Sequence, residues 1–295
     1  YLYNMSIGSI KRAIHSAHLS IKSGIIFRSS LLKQFAVWSP NALDEFLYPT
    51  TLVKNANLYP STLYRLQQCV SSDNFREVEI LHSQSFGKLN IKLTDCLSSL
   101  FNSYGSDKAA KHDYFLVYSD FFDELGPNKK LKVLEIGMGT NNPHLISTMG
   151  VNGKPGASLR AFRDALPFAD IYGADIDKNI LFEEERIKTA WVDQFEQDSF
   201  IAMTDSLGEK KFNLIIDDGL HAVSANLNSL IFSINSLEEG GIFVVEDIPE
   251  RSLDAWLPII LILHDKYNCG LIKCKREYLF FLSMKKNRIL NNYNE

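Results

Sequence analysis

Several things are scarce in this sequence of 295 residues, and each scarcity removes a class of protein. The four cysteines, Cys69, Cys96, Cys269 and Cys274, form no C-x-x-C pair and no zinc-ligand spacing. That excludes a disulfide framework and a zinc module, and fits reduced thiols in an intracellular, cytoplasmic protein. Long apolar runs are missing too: the longest, Trp256 to Leu263, contains Pro258 and is far too short to span a bilayer. No signal-peptide pattern is visible. Neither sign of charge dominates; the net charge is −4, so nucleic acid is not an expected partner. Internal repeats and low-complexity tracts are absent. What remains, 45% hydrophobic and 22% charged, is ordinary globular composition for one large or two smaller domains.

The stretch Leu131-Lys-Val-Leu-Glu-Ile-Gly-Met-Gly-Thr140 organises the chain. Its apolar residues predict a parallel strand covered on both faces. Gly137 and Gly139 let the backbone turn sharply and approach a ligand. Glu135 lies inside the apolar run, where a carboxylate needs a donor or a cation. The third glycine of a dinucleotide fingerprint is missing, because Thr140-Asn141-Asn142 follow.

From Leu131 onward strands and helices alternate, which predicts an α/β fold with a parallel sheet and helices on both faces. The predicted strands are Leu131 to Ile136, Asp170 to Asp175, Thr189 to Asp193, Phe212 to Asp217 and Ile242 to Val245. Helices are expected over Ser158 to Leu166, in the charged stretch after Asp175, and from Val223 to Leu237. The tail, Cys269 to Met284, supplies a hairpin at a sheet edge. Before all this, Ile7, Ile10, Ile14, Ala17, Ile21 and Ile25 recur at helical spacing. That stripe suits a helix packed on its own domain, a subunit contact in a homo-oligomer, or a membrane-surface helix. Residues 1–92 are expected to form a mainly helical region for oligomerisation or substrate contact, and residues 93–295 the domain that carries the chemistry.

Acidic residues fall at the carboxyl ends of successive predicted strands: Asp175, then Asp193, then Asp217 and Asp218, then Glu246 and Asp247. In such sheets that rim is where ligands bind. An acid after the second strand can accept from both hydroxyls of a ribose, and one after the third can meet an adenine amino group. Asp217-Asp-Gly-Leu-His221 is the densest polar cluster. Two adjacent carboxylates invite a hard cation or hold each other's titration apart. His221, three residues after Asp218, suits a general base, although an Asx-type cap with a surface histidine has the same pattern.

Residues of about 100 to 285 resemble a class I S-adenosylmethionine-dependent methyltransferase. The residues that carry this are Val133 to Gly139, Gly173 to Asp177, Val192 to Gln194, Ile216 to His221 and Val245 to Asp247. Gly105-Ser-Asp-Lys108 with His112 and Tyr114, the Asp-Asp-Gly-x-His segment and the later Glu-Asp are similar to mycinamicin-type macrolide-sugar O-methyltransferases and their cephalosporin-hydroxylase-like relatives. The resemblance implies a Rossmann-like, doubly wound sheet of seven strands. It implies Glu135, Gly137 and Gly139 at the methionine end of the cofactor, Asp175 at the ribose, and Asp193 with Gln194 at the adenine. Asp217 and Lys108 are further cofactor-binding candidates. Asp218 and Asp247 match ligands of a magnesium ion, and His221, with Asp218, matches the catalytic base. Tyr104, Lys108, His112 and Tyr114 are expected to close as a lid. The implied activity is O-methylation of a sugar or glycan-type small molecule. A nicotinamide-dependent oxidoreductase and a non-catalytic binding module are the alternatives. The loop from Asn141 to Pro155 departs from the family pattern, and the first hundred residues have no counterpart in it.

Overall fold

A computed structural model describes residues 34–35, 47–69, 78, 80–264 and 266–284. The isoleucine stripe of residues 7–25 lies outside them.

Apolar residues at consecutive strand positions bury both faces of one central sheet. In β2 (Lys132–Ile136), Val133 points to one side and Leu134 to the other. Leu214 and Ile215 divide the same way in β6 (Phe212–Asp217), as do Val244 and Val245 in β7 (Leu237–Ile248). One face is covered by α2 (Ile91–Tyr104), α4 (Tyr114–Leu125) and α5 (Ala157–Ala165). The other is covered by α6 (Gln197–Leu207), α7 (Val223–Ser236) and α8 (Leu253–Leu263). Leu66 of α1 (Leu47–Cys69) is buried in this second layer. A single turn, α3 (Asp107–Ala110), joins α2 to α4.

The sheet is doubly wound and mostly parallel, as expected, but has nine strands instead of seven, in the order β1-β8-β9-β7-β6-β2-β3-β5-β4. One added edge is β1 (Ile80–His82), which pairs in parallel with β8 (Asn268–Lys273). Its three residues fall within the segment read as mainly helical, so the described part of that segment shares this sheet and core. The hairpin of β8 and β9 (Tyr278–Ser283) therefore sits inside the sheet and not at its edge.

The other added edge is β4 (Glu183–Glu184), antiparallel to β5 (Ile187–Trp191). It replaces the charged helix expected after β3 (Asp170–Asp175). Asp177 caps a 3-10 turn there by accepting from Asn179 N at 3.0 Å. The Thr189 hydroxyl accepts from Phe182 N at 2.6 Å and donates to Phe182 O at 2.5 Å, fixing the extended return. Arg186, at φ 57, makes the turn between the two strands.

The chain runs outward from β2 through β3 to β5, then returns to β6 on the opposite side of β2. Strand order thus reverses between β2 and β6, which places a crevice beyond their carboxyl ends. Gly137 is needed in that crevice for close backbone packing. It has φ +90, and a Cβ there would lie 2.2 Å from Asp218 O. Asp218 N donates to Ile136 O at 2.8 Å across the same junction. Among the described residues no helix is long and apolar enough to cross a membrane.

Candidate active site

Two cavities open along the rim and meet at the switch point, where Gly137, Asp175, Gly219 and Ser147 line both. The larger, about 610 Å³, reaches His112, Asp218, His221 and Asp247. The smaller, about 320 Å³, is walled by Ile146, Ile176, Val192, Phe195 and Leu220, with Asp193 and Gln194. A mainly apolar slot with a few polar groups beside a polar basin suits an elongated, amphipathic ligand.

Behind the larger cavity lies Lys108, 1% exposed. Its ammonium is 2.6 Å from Asp218 Oδ2, 2.5 Å from Glu246 Oε2 and 3.2 Å from Glu135 Oε1. These acids come from the ends of three neighbouring strands, β6, β7 and β2. The buried Glu135 accepts from the Ser158 hydroxyl through Oε2, and its Oε1, which makes no hydrogen bond among the described residues, is paired with this ammonium by charge alone. Burial drives Lys108 toward losing its proton. The charges of Asp218, Glu246 and Glu135 more than reverse this and raise its pKa well above the ordinary lysine value. Three carboxylates share one cation, so the set carries more negative charge than a buried site holds easily. The excess shows on Glu246, which burial and then the Asp218 charge push well above the usual carboxylate range against the pull of Lys108.

Tyr114 and Tyr118 stand one turn apart on α4, which puts them on one helix face. Tyr118 donates to Glu246 Oε1 and Tyr114 to Asp247 Oδ1, the latter at 2.5 Å. His112 stacks on Tyr114, with ring centroids 4.8 Å apart. On Asp247, burial works to raise the pKa. His221, His112 and the Tyr114 hydroxyl outweigh it and bring the value below the usual one.

Asp218 and Asp247 each have one oxygen engaged and one left over. Lys108 takes Asp218 Oδ2, and the Tyr114 hydroxyl takes Asp247 Oδ1. The remaining oxygens face His221 Nε2, with Asp218 Oδ1 at 3.8 Å and Asp247 Oδ2 at 4.0 Å. One ligand atom from each of Asp218, His221 and Asp247 falls within a 4.8 Å group. His221 Nδ1 is buried with no hydrogen-bond partner among the described residues. Two free carboxylate oxygens converging in this way suit a hard divalent cation.

The described backbone has three non-glycine residues at positive φ, and His221 (φ 54) and Asp247 (φ 53) are two of them. Such a conformation costs about 1–2 kcal/mol for a residue with a Cβ. It persists where the surroundings over-determine it, and such residues cluster at functional sites.

The sequence-derived candidates divide into two groups. Gly137, Gly139, Asp175, Asp193, Gln194, Asp218, His221 and Asp247 line one or both cavities. Glu135, Lys108 and Asp217 line neither. Glu135 and Lys108 are the buried cluster just described. Asp217, fully buried, accepts from Gln194 Nε2 at 2.7 Å, Asn226 Nδ2 at 3.0 Å and Gly219 N at 3.2 Å, which ties down the turn after β6. Gln194 is turned the same way: its Oε1 takes Leu220 N at 2.8 Å, so its amide is occupied inside the protein. Asp193 accepts from Phe195 N through Oδ1 alone. Asp175 accepts from Met138 N and Asp177 N, and burial raises its pKa to about 6. The space over Gly139 is filled by Met149, whose Cε would lie 2.2 Å from an added Cβ.

The lid expected from four residues does not form as a unit. Tyr104 is held on the surface by donating to Asp164 at 2.5 Å, His112 and Tyr114 are buried residues that line the larger cavity, and Lys108 is buried behind it. Glu246, one of the rim acids, and Tyr118 are given no role in the site by the sequence reading. The signal was present: Glu246 adjoins Asp247, and Tyr118 follows Tyr114 at helical spacing.

No family model matches the chain. The 8-demethyl-8-alpha-L-rhamnosyl tetracenomycin-C 2'-O-methyltransferase of Streptomyces olivaceus is 28% identical over 152 residues, 52% of this chain and 37% of that protein. The mycinamicin VI 2''-O-methyltransferase of Micromonospora griseorubida is 29% identical over 153 residues, 52% of this chain and 36% of that protein. The matched stretch thus spans little more than a third of the length of these curated relatives. Among solved structures, the MycE methyltransferase from the mycinamycin biosynthetic pathway, in complex with Mg and SAH, superposes with a TM-score of 0.50 and 25% identity. That match covers 63% of this chain and 53% of the other. The chain has the class I methyltransferase fold and is similar to sugar O-methyltransferases.

The backbone strain gives a testable consequence. His221→Gly is expected to be about 1 kcal/mol more stable than His221→Ala, because glycine accepts positive φ without a Cβ penalty. Urea unfolding of the two variants measures this, and equal midpoints would contradict a strained backbone at this position.

Proposed function

We propose that this chain, with its class I methyltransferase fold, transfers a methyl group from S-adenosylmethionine to a hydroxyl of a sugar or glycan-type small molecule, assisted by magnesium. The observation that carries the reading is the pair of free oxygens on Asp218 and Asp247 facing His221, at the mouth of a cavity continuous with the slot beside Asp193. The comparisons favour neither the nicotinamide oxidoreductase nor the non-catalytic alternative.

The cofactor, when bound, supplies the methyl group on a sulfonium that leaves readily. The chain's residues fit its parts. Asp193 keeps a carboxylate oxygen available at the apolar slot, for an adenine amino group. Each oxygen of Asp175 accepts one backbone bond and has a lone pair left for a ribose hydroxyl. Gly137 and Gly139 line the passage toward the larger cavity. Gln194, Asp217, Glu135 and Lys108 act one step back: they hold the segments that carry the contacting groups.

A divalent cation held by Asp218 Oδ1 and Asp247 Oδ2 would supply positive charge that makes an acceptor hydroxyl more acidic. The donor set fits magnesium, being two carboxylate oxygens with room beside them. Lys108 and Tyr114 hold the opposite oxygens of the same two acids and so fix the carboxylate planes. His221 takes the hydroxyl proton as oxygen attacks the methyl carbon, and its imidazolium then faces two carboxylates. A positioned base of this kind contributes about 10²–10⁴-fold in rate. Bringing acceptor and methyl donor into line supplies much of the rest. A cytoplasmic setting and a homo-oligomer joined through the isoleucine stripe complete the proposal and rest on the sequence.

The test is a methyl-transfer assay with labelled S-adenosylmethionine and a panel of rhamnosylated and other glycosylated acceptors. Chelator is expected to abolish transfer while S-adenosylhomocysteine still binds. His221→Ala is expected to lose about 10²-fold or more in kcat with little change in cofactor affinity. Full turnover in metal-free buffer would remove the cation from the account, and full turnover of the variant would remove the base.

A second expectation concerns pH. The folded pKa of Asp175, about 6, lies above the ordinary value of 3.8, so folding favours its protonated form between these values. Ionisation through that window lowers stability, and the ligand must find the ionised form. Cofactor affinity is therefore expected to fall about tenfold from pH 7.5 to pH 5, as one proton must leave before binding. Asp175→Asn is expected to bind more weakly and to lose this component of the pH dependence. Calorimetry with S-adenosylhomocysteine at both pH values decides it; an equal pH slope in the two proteins would contradict the assignment.

A further inference from the structure

One wall of the smaller cavity comes from outside the sheet and its crossover helices. Thr51 and Lys54 of α1 line it, opposite Ile176, Val192 and Leu220. The segment that supplies them is firmly docked. Asn55, 1% exposed, accepts from Ser224 N at 2.9 Å through its side chain and from the Ser224 hydroxyl at 2.6 Å through its carbonyl. Leu52 and Ala56 are buried on either side of it. About one turn further on, the Tyr59 hydroxyl donates to Ala255 O at 2.8 Å, and beyond it Arg65 reaches Asn228 Oδ1 at 2.7 Å. α1 is therefore fixed along α7, the helix that follows the Asp218–His221 turn.

Of the two cavity-facing residues of α1, Lys54 is engaged and Thr51 is open. The half-buried Thr51 hydroxyl makes no hydrogen bond among the described residues. The Lys54 ammonium stands 4.3 Å from the centre of the Phe195 ring and 4.0 Å from Glu196. It bridges α1 to the segment after β5, where Asp193 lies. The result is a mainly apolar slot with a helix along one side, which carries the Thr51 hydroxyl. That geometry suits a flat heteroaromatic ring.

We propose that α1 is part of the cofactor site: the adenine ring lies between the sheet rim and α1, Thr51 contacts it, and binding further protects the docked helix. This rests on the S-adenosylmethionine reading above. It gives the amino-terminal region a role in cofactor recognition, and makes Thr51 a specificity-determining residue. Ligand binding and α1 docking then favour each other, because each removes apolar surface that the other leaves open.

The experiment is calorimetry of the full chain with S-adenosylhomocysteine, joined to amide hydrogen exchange with and without it. Thr51→Trp fills the slot and is expected to weaken binding by about tenfold or more, while Thr51→Ser stays within about threefold. Exchange over residues 47–69 in the wild type is expected to slow when ligand is added, which a purely structural helix would not show. If Thr51→Trp fails to fold, the wild-type exchange measurement decides alone. Binding by the wild type with unchanged exchange in α1, or with full affinity in a folded Thr51→Trp, overturns this inference and leaves the methyltransferase reading in place. No binding by the wild type overturns that reading instead.

Discussion

A single buried ammonium holds the candidate site together. Lys108 sits between Glu135, Asp218 and Glu246, which end three neighbouring strands. Charges in a medium of low effective dielectric interact strongly, and each is expensive to bury alone. Without the ammonium, three carboxylates converging behind one cavity would repel, and the strand ends could not close to their present spacing. The one-turn helix α3 exists to deliver that group: the Ser106 hydroxyl caps it, and Lys108 is its second residue. Glu246 is further tied to Tyr118 and Asp247 to Tyr114, so α4 is fastened to the same rim.

This arrangement explains how an acidic site can be both rigid and incomplete. Each of the two acids at the cavity has one oxygen anchored by the protein, which fixes its direction, and one oxygen free. The anchored halves cost the fold a buried cluster and two residues at positive φ. The free halves meet at His221, where the excess negative charge would be offset by a bound cation. The strain falls on His221 and Asp247 and the charge imbalance on Glu246 and Asp218, all on one stretch of the rim. That coincidence marks the rim between β6 and β7 as the place where stability has been given up for chemistry.

Much of the frame was legible in the sequence because parallel strands buried on both faces are unbroken apolar runs. β2, β3 and β6 fall within a residue of their expected limits, and acids stand at or just beyond the ends of β3, β5 and β6 and in the last three residues of β7. Side-chain direction was not legible. Asp217 and Asp218 are adjacent, so they point to opposite sides: one pins Gln194 and Asn226, the other lines the cavity. The partner of Asp218 was hidden as well, since Lys108 lies 110 residues earlier in the chain. The stretch after β3 misled because its charge pattern suits a helix, while Asp177 and Thr189 hold it in a turn and an extended return. β1 escaped notice because three residues are too few for a periodicity, and it is held by pairing with β8.

Lys108 acts as an internal counter-ion that holds the site's carboxylates, and not as a group reaching for the ligand. Urea unfolding of Lys108→Met in the ligand-free protein tests it most directly. Removing one partner of a buried ionic cluster is expected to cost about 3–5 kcal/mol, with part of the loss recovered when Glu246→Gln is added. Wild-type stability in Lys108→Met, with only S-adenosylhomocysteine affinity reduced, would contradict the account and return Lys108 to the role of a cofactor contact.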